Sequence, residues 1–129
     1  MRFAVLIALM VGACATGSGP GPASLAGTSW TIAEVDGAAP VAGSSPSLDF
    51  DANGRASGDA SCNRLTGGYA QDGAKLTFSQ IATTRRACPP PIGEQEAKVL
   101  KILEGASGFE MSGPDLLISG SAGRLRLSR

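Results

Sequence analysis

From residue 25 onward, apolar residues recur at every second position in short bursts, and each burst is closed by a turn signal. Trp30 and Ile32 alternate ahead of Asp36-Gly37, and Leu48 and Phe50 alternate ahead of Asp51-Ala52-Asn53-Gly54, which reverses the chain into Arg55 to Ser57. Leu65 to Ala70 carries Tyr69 and is turned by Gln71-Asp72-Gly73 into Lys75 to Phe78, where Leu76 and Phe78 share a face. Phe109 and Met111 alternate before Gly113-Pro114-Asp115. Leu116 to Ser119 follows, and Gly120 to Gly123 leads into a last segment with Leu125 and Leu127 on one side. A period of two puts alternate side chains on one face of a sheet. Seven or eight such strands at this spacing predict a mainly β domain, a small antiparallel barrel or sandwich.

One stretch has the other period. Glu94 to Glu104 lacks Gly and Pro, and Ala97, Val99, Leu100 and Leu103 gather on one side of a helical wheel. Pro89, Pro90 and Pro91 precede it and Gly105 follows, as helix start and stop signals do. Glu94 and Glu96 suit the positive end of the helix dipole, and Glu94 with Lys98 makes an (i, i+4) pair. A lone helix among strands is expected to plug one end of the sheet or cover an open edge.

The first residues follow a different logic. Arg2 precedes an unbroken apolar run from Phe3 to Val11, and the small residues Gly12-Ala13 stand directly before Cys14. Charge, short apolar stretch and small-residue cleavage site form a secretory signal, and the run falls short of the roughly 20 residues that a transmembrane helix needs. A cysteine at that place reads as a bacterial lipobox, with Cys14 carrying the lipid. Ala15 to Ser24 holds no apolar residue larger than Ala or Pro and reads as a flexible tether. The expected organisation is a signal over residues 1–13, a lipidated Cys14 with tether over 14–24, and one domain over 25–129. Such a chain faces the periplasm from a membrane. Ala15 after the cysteine is compatible with the outer membrane.

Composition removes several chemistries. Among 129 residues there is no histidine, so His-based acid–base catalysis, the usual nucleophile triads and nearly every zinc arrangement are excluded. Lys plus Arg and Asp plus Glu are 11 each, which offers nucleic acid no electrostatic attraction. No metal-ligand spacing and no phosphate-binding glycine loop occurs, so neither metal nor cofactor is expected. With Cys14 assigned to lipid, Cys62 and Cys88 remain as an even pair in an oxidising compartment and read as a disulfide. The alternative is a reactive thiol at Cys62, whose neighbour Arg64 would lower its pKa.

The order of several short elements resembles the META-domain family of the HslJ heat-shock type. They are Leu25-Ala26-Gly27-Thr28-Ser29-Trp30, Val35-Asp36-Gly37, Gly58 ahead of Cys62-Asn63-Arg64, Gly67-Gly68-Tyr69, Thr84 four residues before Cys88, and Gln95-Glu96 opening the helix. The resemblance spans residues 25–129 and departs at Ser61, where the family usually has Gly, and at Arg86, where it commonly has an apolar residue. It implies a small β-barrel-like domain with one helix, secreted or lipid-anchored, linked in some bacteria to stress, and with no established catalytic activity.

Four residues remain as candidate ligand or partner contacts. Asn63 is either a turn residue that tolerates left-handed backbone or a polar contact at the barrel mouth. Arg64 with Glu96 would be the pair of a catalytic acid, against a capping role for Glu96 in the first helical turn. Arg85, with Arg86, would clamp an anion, but neighbours on a strand point to opposite faces. The expected function is a lipid-anchored, non-catalytic, monomeric envelope domain that binds or stabilises another envelope protein. The alternatives are a carrier of a small apolar or amphipathic ligand in the barrel interior, and a thiol- or carboxylate-dependent enzyme.

Overall fold

The computed structural model describes residues 23–129; the signal segment, Cys14 and the tether through residue 22 lie outside the described residues. The strands are β1 (Thr28–Val35), β2 (Ser47–Phe50), β3 (Arg55–Asp59), β4 (Arg64–Asp72) and β5 (Lys75–Thr83), then helix α1 (Ile92–Glu104), then β6 (Ala106–Ser112), β7 (Asp115–Gly120) and β8 (Gly123–Ser128). Each strand pairs antiparallel with the next, and β1 pairs with β8 to close an eight-stranded barrel.

The turns form where the sequence signals them. Asp36 and Gly37 both have positive φ, 50° and 84°, and Val35 and Ala38 exchange backbone hydrogen bonds of 2.8 and 3.1 Å across them. That is the two-residue hairpin geometry which Asp-Gly favours. Asp51 Oδ1 accepts from the backbone N–H groups of Asn53 (2.8 Å) and Arg55 (2.9 Å), fixing the reversal between β2 and β3. Gly58 is required by close packing: a Cβ there would overlap the backbone carbonyl of Ser47 on the neighbouring strand.

Inward-facing positions build one core. Ile32, Leu48, Leu65, Leu76, Leu116, Ile118, Leu125 and Leu127 are buried in the barrel, with Trp30 and Phe50 beside them. Phe50 meets Tyr69 edge-on at a centroid distance of 4.8 Å. Helix α1 adds Val99, Ile102 and Leu103. Each such side chain is worth about 1.5–3 kcal/mol in transfer terms, so burial, rather than propensity, holds the helix in place.

Three expectations change. The buried helix face is Glu96, Val99, Ile102 and Leu103, while Ala97 is exposed and Leu100 half-buried. Lys98 reaches Asp36 at 3.7 Å, its ion pair among the described residues, and Glu94 does not pair with it. Met111 is 38% exposed although Phe109 is buried, because β6 runs past the start of β5.

That offset shapes the domain. β5 and β6 share a single register pair, Lys75 with Gly108, supported by Phe109 N–H on the Ala74 carbonyl at 2.9 Å. Above it the upper half of β5 has no strand on that side. α1 starts beside the top of β5 and ends near the turn between β7 and β8, so it fills this notch and lies across the upper barrel mouth. The chain enters at the other mouth: Gln71 accepts from Leu25 N–H (2.9 Å) and donates to the Ala23 carbonyl (2.8 Å).

Candidate functional site

The conspicuous polar cluster sits at the helix-covered mouth, where the β3–β4 turn, the β5–α1 loop and the first turn of α1 converge. Cys62 and Cys88 are joined by a disulfide, which ties that turn to that loop. Asn63 is 5% exposed and Glu96 8%, so both need partners to be tolerated there.

They provide partners for each other. Glu96 Oε1 accepts from the backbone N–H groups of Cys62 (2.9 Å) and Asn63 (2.7 Å), and Oε2 accepts from Asn63 Nδ2 (2.6 Å). Asn63 Oδ1 accepts from Thr84 Oγ1 (2.9 Å) and from Arg86 N–H (2.8 Å). Thr84 then clips the start of β4, with its Oγ1 accepting from Arg64 N–H at 3.1 Å and its own N–H donating to the Arg64 carbonyl at 3.1 Å. Gln95 performs the same service one residue earlier. Its Nε2 donates to Ser44 Oγ and Ser61 Oγ, both at 2.9 Å, and its Oε1 accepts from Val41 N–H at 2.7 Å. Gly93 lets the helix approach, since a Cβ there would stand 2.6 Å from the Cys88 carbonyl oxygen.

Burial works to raise the Glu96 pKa. The hydrogen bonds from the Asn63 side chain and from the N–H groups of Asn63 and Cys62 outweigh it and hold the carboxyl below its ordinary value. Glu96 is therefore an ionised acceptor whose oxygens are already engaged, unsuited to giving up a proton as a general acid at neutral pH. Both cysteine sulfurs are spent in the disulfide, which leaves no thiolate at Cys62. Among the described residues no group of three or more Cys, Asp or Glu side chains is placed to hold a metal.

The candidate residues thus separate. Asn63 and Glu96 are brought together, but Asn63 does not adopt left-handed backbone, and Glu96 reaches into the facing turn instead of capping its own helix. Arg64 does not meet Glu96; its side chain is exposed and enters no ion pair among the described residues. Arg85 and Arg86 are exposed on the loop after β5, not on a strand, so the opposite-face argument does not apply to them. Arg86 contributes its backbone to Asn63, which explains why a charged side chain is tolerated at that position. Gln95 and Thr84, quoted above only as elements of the family resemblance, and Ser44, which the sequence reading passed over, carry parts of the network. The available signal was an adjacent Gln-Glu pair directly after a proline-rich loop.

Ser61 has φ of 128°, a conformation costly for any residue with a Cβ. At ordinary positions Gly is less stable than Ala by roughly 0.5–1 kcal/mol. Here the order should invert. Ser61→Ala keeps the strain and loses the Gln95 bond, whereas Ser61→Gly loses the bond and relieves the strain. Urea unfolding should place Ser61→Gly about 1–2 kcal/mol above Ser61→Ala. An Ala variant as stable as the Gly variant would refute the strain at this turn.

Two open grooves flank the cluster. One, of about 280 Å³, runs between the loop after β1 and the start of α1, lined by Val35, Ala39, Val41, Pro91, Glu94 and Lys98 among others. The other, of about 330 Å³, lies over the upper ends of β4 and β5 and is lined by Arg64, Thr66, Ala82, Thr83 and Thr84.

Comparisons with known proteins agree with this architecture. A structure solved by NMR matches with a TM-score of 0.68 at 22% identity, over 81% of this chain and 90% of that one. A second NMR structure, of a protein from Burkholderia xenovorans, matches with a TM-score of 0.64 at 29% identity, over 90% of this chain and 94% of that one. No curated protein matches the sequence. The META domain profile matches residues 23–129, the whole described barrel, and the chain therefore belongs to the META-domain family.

Proposed function

We propose that this protein is a lipid-anchored, non-catalytic domain of the bacterial envelope that binds or steadies another envelope component under stress. The observation that carries the reading is the polarity of the barrel. Gln71 grips the chain at Ala23 and Leu25, at the mouth opposite α1. A tether running back from there to a lipid on Cys14 holds the entry mouth toward the membrane. It presents the helix, the disulfide and both grooves to the periplasm. The stiffness of the Asn63–Glu96 network favours a binding surface, because a pre-organised surface loses little entropy on association. The filled interior weighs against a carrier: Leu48, Leu76, Leu116 and Ile118 are completely buried where a ligand would have to sit.

The test has two parts. Cys14→Ser should move the protein from the membrane to the soluble fraction, since the acyl chains supply the attachment. Retention in the membrane would overturn the anchor. Photo-crosslinkers at Lys101 and Arg85, on the outward end, should capture an envelope component that a crosslinker at Arg55, on the entry end, does not. Equal capture at both ends would overturn the polarity.

A further inference from the structure

The groove over the upper ends of β4 and β5 has a chemistry of its own, separate from the buried network beneath it. Its one charged lining residue is Arg64, with the threonines Thr66, Thr83 and Thr84 and the small Ala82 around it. Arg64 is exposed and has no ion-pair partner within 4.0 Å among the described residues. The acid facing it across the β3–β4 register is Asp59, whose Oδ1 already accepts from Ser61 N–H at 2.8 Å. Arg85 and Arg86 follow Thr84 directly and are exposed, so the nearby loop adds positive charge.

The groove is also held in shape. Two bonds of 3.1 Å join the Arg64 backbone to Thr84, and Thr84 Oγ1 donates to the buried Asn63 at 2.9 Å. The disulfide-linked cluster therefore fixes the backbone from which Arg64 projects. A planar guanidinium on a rigid base is suited to bidentate recognition of a carboxylate or phosphate. The Thr84 hydroxyl is committed to Asn63 and to Arg64 N–H, which leaves the hydroxyls of Thr66 and Thr83, able both to donate and to accept, for the hydroxyls of a sugar. No aromatic side chain lines the groove to stack a base, and its volume of about 330 Å³ is at the small end of ligand sites.

We infer that this groove is a binding site for a small anionic sugar, a saccharide unit bearing a carboxylate or a phosphate, with Arg64 as its charged anchor. The inference deepens the binding role proposed above and depends on it only for the biological source of the sugar.

The experiment is a titration of the 15N-labelled chain from residue 14, carrying Cys14→Ser, with glucuronate, glucose 1-phosphate and neutral glucose. Amide shifts should concentrate at residues 64–66 and 82–84. At least one anionic sugar should bind with a Kd of about 1 mM, a value in keeping with one bidentate contact and a few hydroxyl bonds. Glucose should bind at least tenfold more weakly. Arg64→Gln should weaken the anionic sugar at least tenfold while leaving the spectrum dispersed, Arg64→Lys should recover part of the loss, and the remote Arg124→Gln should change nothing. A trigalacturonate arm separates two sources: tenfold tighter binding than the monomer assigns a glycan chain, and equal binding a free sugar acid. Shifts scattered over all exposed arginines, equal binding of glucose, or an unaffected Arg64→Gln would each overturn the site. None of those results touches the crosslinking test, so the envelope-binding role stands or falls separately.

Discussion

Replacing Cys62 and Cys88 together by serine should lower the unfolding free energy by about 3–4 kcal/mol. The bond closes a loop with a sequence separation of 26, and the chain-entropy relation for a loop of that size gives this range. Small domains are stable by only about 5–15 kcal/mol in total, so the change is a large share. The loss should be the same for the wild type in reductant, because what disappears is the cross-link and not the sulfur. Urea unfolding of both samples checks it. A serine pair within about 0.5 kcal/mol of the oxidised wild type would mean that the polar network alone fixes the two segments. The reduced protein should retain its barrel, since the strand pairs, β4–β5 within the bridged loop included, are held by their own backbone hydrogen bonds and the helix is still held by Val99, Ile102 and Leu103.

The second large effect belongs to Glu96. Its carboxylate receives three hydrogen bonds at 2.6–2.9 Å, and bonds to a charged group contribute about 1.5–3 kcal/mol each when the partner is lost. Glu96→Gln keeps one acceptor oxygen but turns an amide N–H group toward donors, so about 2–4 kcal/mol should be lost at neutral pH. The pH dependence separates this from simple misfit. The folded pKa lies below the unfolded value near 4.5. The stabilisation is therefore fully present above about pH 4.5 and is lost as pH falls through the lowered folded value, where the native carboxylate must take up a proton. In wild type, stability should decline across that acid window, and in Glu96→Gln this part of the decline should be absent. The two unfolding curves should approach each other on acidification. A constant gap from pH 7 down to pH 3 would show that Glu96 acts through shape and not through its charge.

Much of the architecture was readable from the chain because it is local. Alternation at Trp30/Ile32, Leu48/Phe50 and Leu125/Leu127, with Asp36-Gly37 and Asn53-Gly54 as turns, is decided by neighbours a few residues apart. The disulfide followed from parity and compartment. The failures are all long-range. Glu96 was read as a capping residue of the first helical turn and left out of the apolar face, which was drawn through Ala97, Val99, Leu100 and Leu103 without Ile102. Its burial makes sense only with Asn63, 33 residues away. Lys98 was given the nearest acid on its own helix, but the hairpin turn at Asp36 comes closer than sequence distance suggests. The stagger that leaves β5 and β6 with one shared pair, and Met111 exposed, is a property of barrel closure as a whole. No single segment encodes it.

That stagger divides the molecule into two meanders, β1–β5 and β6–β8, each made of hairpins between consecutive strands. Hairpins between consecutive strands form quickly because little chain entropy is lost in closing them. The costly steps are the two seams. One is the pairing of Thr31 with Ser128 at almost the full span of the domain, and the other is the docking of α1 where strand pairing runs out. Folding speed is therefore governed by how soon the first and last strands find each other. Packed against β1, β5 and β8, the helix joins the two halves at the seam that strand pairing leaves open.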